Sequence, residues 1–563
     1  MRTTIVAVAL LATGCAGLQF GGADRQRETA ESVRESVKGT TPAYAKYDPE
    51  GQKLWKLTRA FYEQREFLPA WIEGTSPRPQ MKALMRALSA AEHEGLDPEL
   101  YTVSMLEKKH SEATRGFLTD KGFDPAEAGT LDVWLTYLYL RYASDLADGL
   151  SNLVHADKAW QIAPEKFDAR AHLEAALDAN RVEESLAELT PRNGEYGRLR
   201  ELLARYREQK ARGGWPLMPN VRLKPGQKSA HVATLARRLA ASGDYTGPIP
   251  QAGIASPYSP ALQAAVKVFQ RRHGLADDGI VGPAAIAALN VPIDQRIEQV
   301  AMNMERWRWL PRDLGERYIL VNIPEMRLDV YESGTIPLSM RVVVGKSETP
   351  TPIFNDRMTY LVFSPYWNVP PGIAEGETLP ALLNDPDFLA RNNMEVLDAS
   401  GNIVDPETMD LTDPTAYRFR QKPGTHNSLG LVKFMFPNQF NVYLHDTPSG
   451  SLFERATRSF SHGCVRVEDP VALARYLLRD QPAWTADRIR EAMHAGQETS
   501  VKLKTPIPVY LGYWTARVRP DNTVQFRPDV YRVDRRLSAR LDDRLERLRK
   551  TAAAAAKATT VEK

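Results

Sequence analysis

The 563-residue chain has two cysteines, Cys15 and Cys464, and no apolar run long enough to cross a bilayer as a mature helix. One disulfide is the most that two thiols could form, so the chain is no disulfide-stapled scaffold. It also lacks an excess of one charge, with 73 Lys and Arg against 70 Asp and Glu. With no long basic block either, nothing calls for nucleic acid as a partner. No phosphate loop or dinucleotide fingerprint stands out. The histidines show no ligand spacing with Cys or acidic partners, so neither metal nor cofactor is expected. What remains, 43% hydrophobic and 25% charged over this length, reads as two to four soluble globular domains.

The opening "MRTTIVAVALLATGCAGLQF" is a different kind of segment. Arg2 precedes a short apolar stretch, then small residues stand before Cys15. It resembles a bacterial lipoprotein signal, cleaved before a cysteine that carries lipid, although Ala12 stands where a larger aliphatic residue is usual. That resemblance implies a signal over 1–14, lipidation at Cys15, membrane contact through the lipid, and a periplasmic protein anchored to the outer rather than the inner membrane. An ordinary secretory signal cut nearby is the alternative. On either branch Cys15 cannot pair with Cys464, which is left a lone thiol in an oxidising compartment.

Residues 15–52, polar with few large apolars, read as a flexible tether. From 53 to 220 the pattern is helical, with "TLDVWLTYLYLRYASDLADGL" a long buried helix and no catalytic constellation, so a scaffold is expected. Residues 225–291 form a compact unit. In it Ser259 can cap a helix that starts at Pro260, carries Leu262, Val266 and Phe269 on one stripe, and ends at Gly274. The run "ALQAAVKVFQRRHGLADDGIVGPAAIAAL" resembles the three-helix peptidoglycan-binding module. A linker helix over 292–315 follows, then alternating β-branched runs that predict a mainly antiparallel β domain over 316–520. A polar, Pro- and Asp-rich insertion at 371–425 reads as a lid. The end, 521–563, reads as a charged helix and a disordered tail. The class is multidomain α+β.

The chemistry gathers around "SFSHGCVR". A thiol becomes a nucleophile when a neighbour takes its proton, and His445 in "VYLHDTP" is the candidate. On a strand Tyr443 and His445 share a face, and the fifteen residues after "VYLH" can return "SHGC" alongside. Gly463 permits a tight turn that aims backbone N–H groups at a developing oxyanion, and Arg466 can face the same cleft. Singly, each has a plain structural reading. Together, His445 and "SHGCVR" resemble the signature of the L,D-transpeptidase family, with its YkuD-type catalytic domain. The order of units over roughly 53–515 resembles the large Gram-negative members.

The resemblance implies Cys464 as acyl-forming nucleophile and His445 as base and acid. The backbone around His462, Gly463 and Cys464 would form the oxyanion hole, with Arg466 and Tyr443 holding the site or substrate. The Asp446 carbonyl would orient His445, in place of a carboxylate. Ser461, Tyr366 and Trp367 would meet substrate. The partners implied are peptidoglycan stem peptides, with cell-wall synthases or endopeptidases as further candidates. The reaction implied is 3→3 cross-linking with release of D-Ala. Water or a protein lysine as acceptor, and a wall-binding lipoprotein without catalysis, stay open at this point.

Overall fold

The computed structural model describes residues 14–46, 49–114, 122–150, 159–409 and 416–558. The signal segment before Gly14 lies outside them, and so does the Cys15 side chain. No helix among the described residues is long and apolar enough to cross a membrane.

The segment expected to be a tether is instead helix α1, Gly14–Lys38. Thr29, Val33 and Val37 are buried at four-residue spacing, a single stripe in an otherwise polar helix. The stripe packs on α2, Pro125–Asp148. Contact is close because Gly129 has no side chain, and a Cβ there would come within 2.4 Å of Ser32 Oγ. Mean polarity hid a face only three residues long, which is why composition suggested a tether.

Helix α2 is buried on nearly all sides and centres the scaffold. Its Asp132 carboxylate accepts from the Ala70, Trp71 and Ile72 amides at 2.8–2.9 Å and from Tyr62 Oη at 2.6 Å. A polar group at the middle of this core is thereby satisfied. Helix α3, Gly194–Ala211, lies against the later helix α5, Ile293–Arg308.

Between these two sits the small module, with a core of its own that includes Leu235, Leu239, Leu262, Val266 and Phe269. Its helix α4, Pro260–Arg272, is capped by Ser259 Oγ on the Leu262 amide, and Gly274 follows at φ +70°.

The β-rich domain is one nine-stranded sheet. In chain order its strands are β1 (Arg317–Asn322), β2 (Arg327–Glu332), β3 (Thr335–Gly345), β4 (Phe354–Phe363), β5 (Val432–Met435), β6 (Leu444–His445), β7 (Ser459–Ser461), β8 (Val465–Val467) and β9 (Thr499–Gly512). The spatial order is β7-β3-β8-β6-β5-β4-β9-β1-β2, and a further β2–β3 pairing closes the sheet on itself. Most pairs are antiparallel, but β6–β8, β7–β3 and β9–β1 are parallel.

The insertion between β4 and β5 folds as its own four-stranded sheet, over a small core that includes Leu389, Val396 and Phe419. Residues 410–415 of it lie outside the described residues.

The C-terminal segment also differs from expectation. Helix α6, Val533–Ala558, runs through most of the alanine-rich tail, consistent with alanine's high helix propensity. It buries Leu537, Leu548 and Ala552, pairs Asp534 with Arg306 at 2.6 Å, and reaches Asp97 through Arg549 at 3.2 Å. The charged helix is thus as expected, and the helix continues into the tail as far as Ala558, with Ala552 of the tail buried.

Candidate active site

Parallel pairing of β6 with β8 sets Leu444 opposite Val465 and His445 opposite Arg466. This register brings Cys464, one residue before β8, beside the strand that carries His445. The Val465 amide donates to the Tyr443 carbonyl at 3.2 Å and fixes the approach. Cys464 is the free cysteine among the described residues and is half-buried. Its thiol points at the Asn441 carbonyl, 3.9 Å away, with the Tyr443 side chain close enough to act on it. The Tyr443 and His445 rings lie on one face, 5.8 Å apart and edge to face.

His445 is 4% exposed, and its Nδ1 lies 2.5 Å from the Asp446 carbonyl oxygen. A carbonyl only accepts, so Nδ1 carries the hydrogen and Nε2 keeps the lone pair that a base needs. The Asp446 carboxylate is occupied elsewhere, accepting from the Leu431 and Thr447 amides at 2.8 and 2.7 Å. It is the Asp446 backbone, not its side chain, that orients the imidazole.

The resting pair is neutral. Burial and the Arg466 charge push the His445 pKa down to about 3, against the opposing pull of the Asp446 and Leu429 carbonyls. Burial pushes the Cys464 thiol up, while Tyr443 and Arg466 oppose it.

Sequence reasoning missed Lys433, which pairs with His445 from β5 just as Arg466 does from β8. Directly opposed residues share a face, so the base sits between two cations. Burial lowers the Lys433 pKa, against the pull of Glu498. The Arg466 Nε is buried with no hydrogen-bond partner among the described residues. In the sequence Lys433 is one polar residue in a strand, and only the register of three strands reveals its position.

The turn before the nucleophile is tightly braced. Gly463 has φ +117°, a conformation open to glycine and strained for other residues. Its carbonyl accepts from Thr351 Oγ1 at 2.8 Å.

Two expectations need correction here. Ser461, expected to meet substrate, is 2% exposed, and its hydroxyl donates to the Cys464 carbonyl at 2.5 Å. It holds the loop from inside. The Gly463 N–H, expected to serve an oxyanion, donates to Ser461 Oγ at 3.2 Å. The Cys464 N–H has no hydrogen-bond partner among the described residues and is the better candidate donor.

His462 turns outward, its Nε2 2.9 Å from Glu377 Oε1 in the insertion. Tyr366 and Trp367 are half-buried at the insertion's root. Arg420 stacks 4.3 Å from the Tyr366 ring centroid, and Trp367 packs against the insertion's core.

Comparison with known proteins matches three stretches of the sequence to described families. Residues 316–509 match the YkuD family, described as "L,D-transpeptidase catalytic domain". That stretch of the chain is similar to L,D-transpeptidase catalytic domains. Residues 228–289 match "Putative peptidoglycan binding domain", and residues 56–203 match "Scaffold domain".

A curated protein of Haemophilus influenzae named "Putative L,D-transpeptidase" is 36% identical over 244 residues, which is 43% of this chain. The chain spans about half, 49%, of that relative's length. Among solved structures, the chain is similar to an L,D-transpeptidase (residues 123–326) from Xylanimonas cellulosilytica. That structure is 17% identical, covers 53% of this chain and 98% of its own, and has a TM-score of 0.18. An L,D-transpeptidase from Mycobacterium smegmatis is 16% identical, covering 35% and 58%, with a TM-score of 0.16.

Proposed function

We propose that the chain forms 3→3 peptidoglycan cross-links through a thioester on Cys464. The observation that supports this most directly is a free cysteine, one residue before the strand paired with that of His445, together with a buried imidazole whose Nδ1–H is held by the Asp446 carbonyl, leaving Nε2 to act as base.

In the first half-reaction the Cys464 sulfur attacks the carbonyl between the third stem residue and the terminal D-Ala. His445 Nε2 takes the thiol proton and returns it to the departing D-Ala amine. In the second, an amine of another stem attacks the thioester. His445 accepts the amine's proton and delivers it to the sulfur as the thiol re-forms. The oxyanion meets the Cys464 N–H.

A base with a pKa near 3 is weak, and its weakness comes from burial and a flanking cation. A stem carboxylate bound at Arg466 and Lys433 would offset that charge and strengthen His445 when substrate is present.

Incubation with a disaccharide tetrapeptide and mass spectrometry tests the proposal. Dimer formation with loss of D-Ala is expected. Tripeptide alone would show water as the acceptor, and no loss of D-Ala would sink the reaction. We further propose a periplasmic location with lipid on Cys15, for which incorporation of labelled palmitate is the check.

A further inference from the structure

A cavity of about 710 Å³ lies where the peptidoglycan-binding module meets the catalytic domain. Its size is that of a small-molecule or short-peptide site rather than a gap for a few waters. The module contributes the end of α4 and the turn that follows, including Arg271. Phe453–Arg458, the loop leading into β7, forms part of the opposite wall.

The contact between the two is specific. Arg527 Nη1 donates to the Arg271 carbonyl at 2.9 Å, and a Cβ on Gly274 would lie 3.1 Å from that same nitrogen. His273 stacks on Phe526 with centroids 5.7 Å apart.

The lining holds more guanidinium than carboxylate. Arg455 and Arg458 have no carboxylate partner among the described residues. Arg455 is exposed and rests on the Phe460 ring, 5.3 Å from its centroid. Arg458 donates to backbone carbonyls, at 2.7 Å to Arg455 and 3.0 Å to Met326. Arg527 shares the single carboxylate of Glu325 with Arg517 and Arg519, and its own Nε is buried without a hydrogen-bond partner. Burial, with Arg341 and Arg527 nearby, pushes the Arg458 pKa down to about 10. Unpaired guanidiniums around a space of this size favour an anion in it.

We infer that this seam is a second binding site, which takes the carboxylates of a peptidoglycan stem other than the one at Cys464. The choice of ligand rests on the peptidoglycan reading above, whereas the preference for an anion rests on the lining. A wall fragment held there would be presented to the cleft at high effective concentration. Its grip would also reach the nucleophile loop, because the Val344 amide of β3 donates to the Arg458 carbonyl at 2.9 Å and Cys464 follows six residues later.

The test uses the full chain with Cys464→Ala, so that binding is read without turnover. Disaccharide tetrapeptide should slow amide hydrogen exchange in 271–277 and 453–458. Arg455→Glu, at an exposed position, should remove that protection and weaken binding about tenfold. The fragment with its carboxylates amidated should give no protection there. Protection confined to the cleft, or unchanged in Arg455→Glu, overturns the site. Equal protection by inorganic phosphate alone overturns the stem as its ligand.

If the variant were misfolded, iodoacetamide labelling of Cys464 in the otherwise wild-type chain would change. An unchanged rate, the expected result, ties the lost protection to the cavity. Release of D-Ala by the unmodified protein is measured apart. Protection without release keeps this site and sinks the reaction, and release without protection does the reverse.

Discussion

At the seam between scaffold and sheet, Arg517 is buried and fully met. Both Glu195 oxygens accept from it at 2.8 Å, Glu325 accepts at 2.9 Å and Tyr331 Oη at 2.8 Å. Glu195 comes from α3, and Glu325 from the turn between β1 and β2, so the cluster joins two domains. At the cleft, Arg466 and Lys433 flank a neutral imidazole, and the Arg466 Nε has no hydrogen-bond partner among the described residues. Both regions bury cations. The seam meets Arg517 with the carboxylates of Glu195 and Glu325, while the cleft leaves room for a counter-charge to arrive with substrate. A saturated cluster holds a fold together, and an unsaturated one is suited to binding.

The comparison breaks hardest at Cys464. Cys464→Ala should reduce D-Ala release to background while leaving the melting temperature nearly unchanged, because the thiol makes only loose contacts, among them one of 3.9 Å to the Asn441 carbonyl. His445→Ala should cost about 10²–10⁴-fold in kcat. Residual turnover in Cys464→Ala would remove the nucleophile from the proposal.

At the seam the expected loss is in stability instead. Arg517→Ala strands Glu195 in a dry interior and leaves Glu325 to Arg519 and Arg527 alone, and should cost about 3–5 kcal/mol by denaturant unfolding. Alkylation of Cys464 by iodoacetamide below the transition should be little altered. A loss under about 1 kcal/mol would show that the ion cluster is not what joins the domains.

Acid separates the two regions by window. His445 is held near pKa 3, against an ordinary 6.5. Between those values the unfolded chain binds the proton and the native chain does not. Its contribution to stability is therefore present above pH 6.5 and lost as pH falls toward 3, on the order of 5 kcal/mol. For Glu325 burial works against ionisation, but Arg517, Arg527 and Arg519 hold its pKa near 2, against an ordinary 4.5. The seam's share is present above pH 4.5 and lost as pH falls toward 2. Unfolding free energies of the wild type and His445→Gln should diverge between pH 6.5 and 4.5. Parallel curves there would mean that the imidazole is not held neutral.

How much of this could be read from residues alone depends on range. Helix α4 was legible because Leu262, Val266 and Phe269 repeat within one helix and Gly274 ends it. The return of "SHGC" to the strand of His445 was legible because a short segment joins them. Lys433 was not, since its place beside His445 depends on the β5–β6 register across an intervening loop. The stripe of α1 was hidden because three buried residues barely alter the composition of a polar helix. The role of Ser461 was misread, because the sequence does not show which way a hydroxyl turns in a three-residue strand.

The smallest effect concerns Glu377, which lies far from Cys464 in sequence and reaches it through the insertion. Its carboxylate meets His462 Nε2 at 2.9 Å, with 58% and 35% of the two side chains exposed. A pair this open to solvent contributes about 0–1 kcal/mol, so Glu377→Gln should leave the melting temperature unchanged within error. The contact spans insertion and nucleophile loop, so its loss should act on how long the insertion stays closed over an acyl-enzyme. Water then gains on the amine, and the ratio of tripeptide to cross-linked dimer should rise by a few-fold at most. The first half-reaction should be barely changed. If the ratio stays constant while D-Ala release falls, the contact orders the nucleophile loop and does not govern the acceptor.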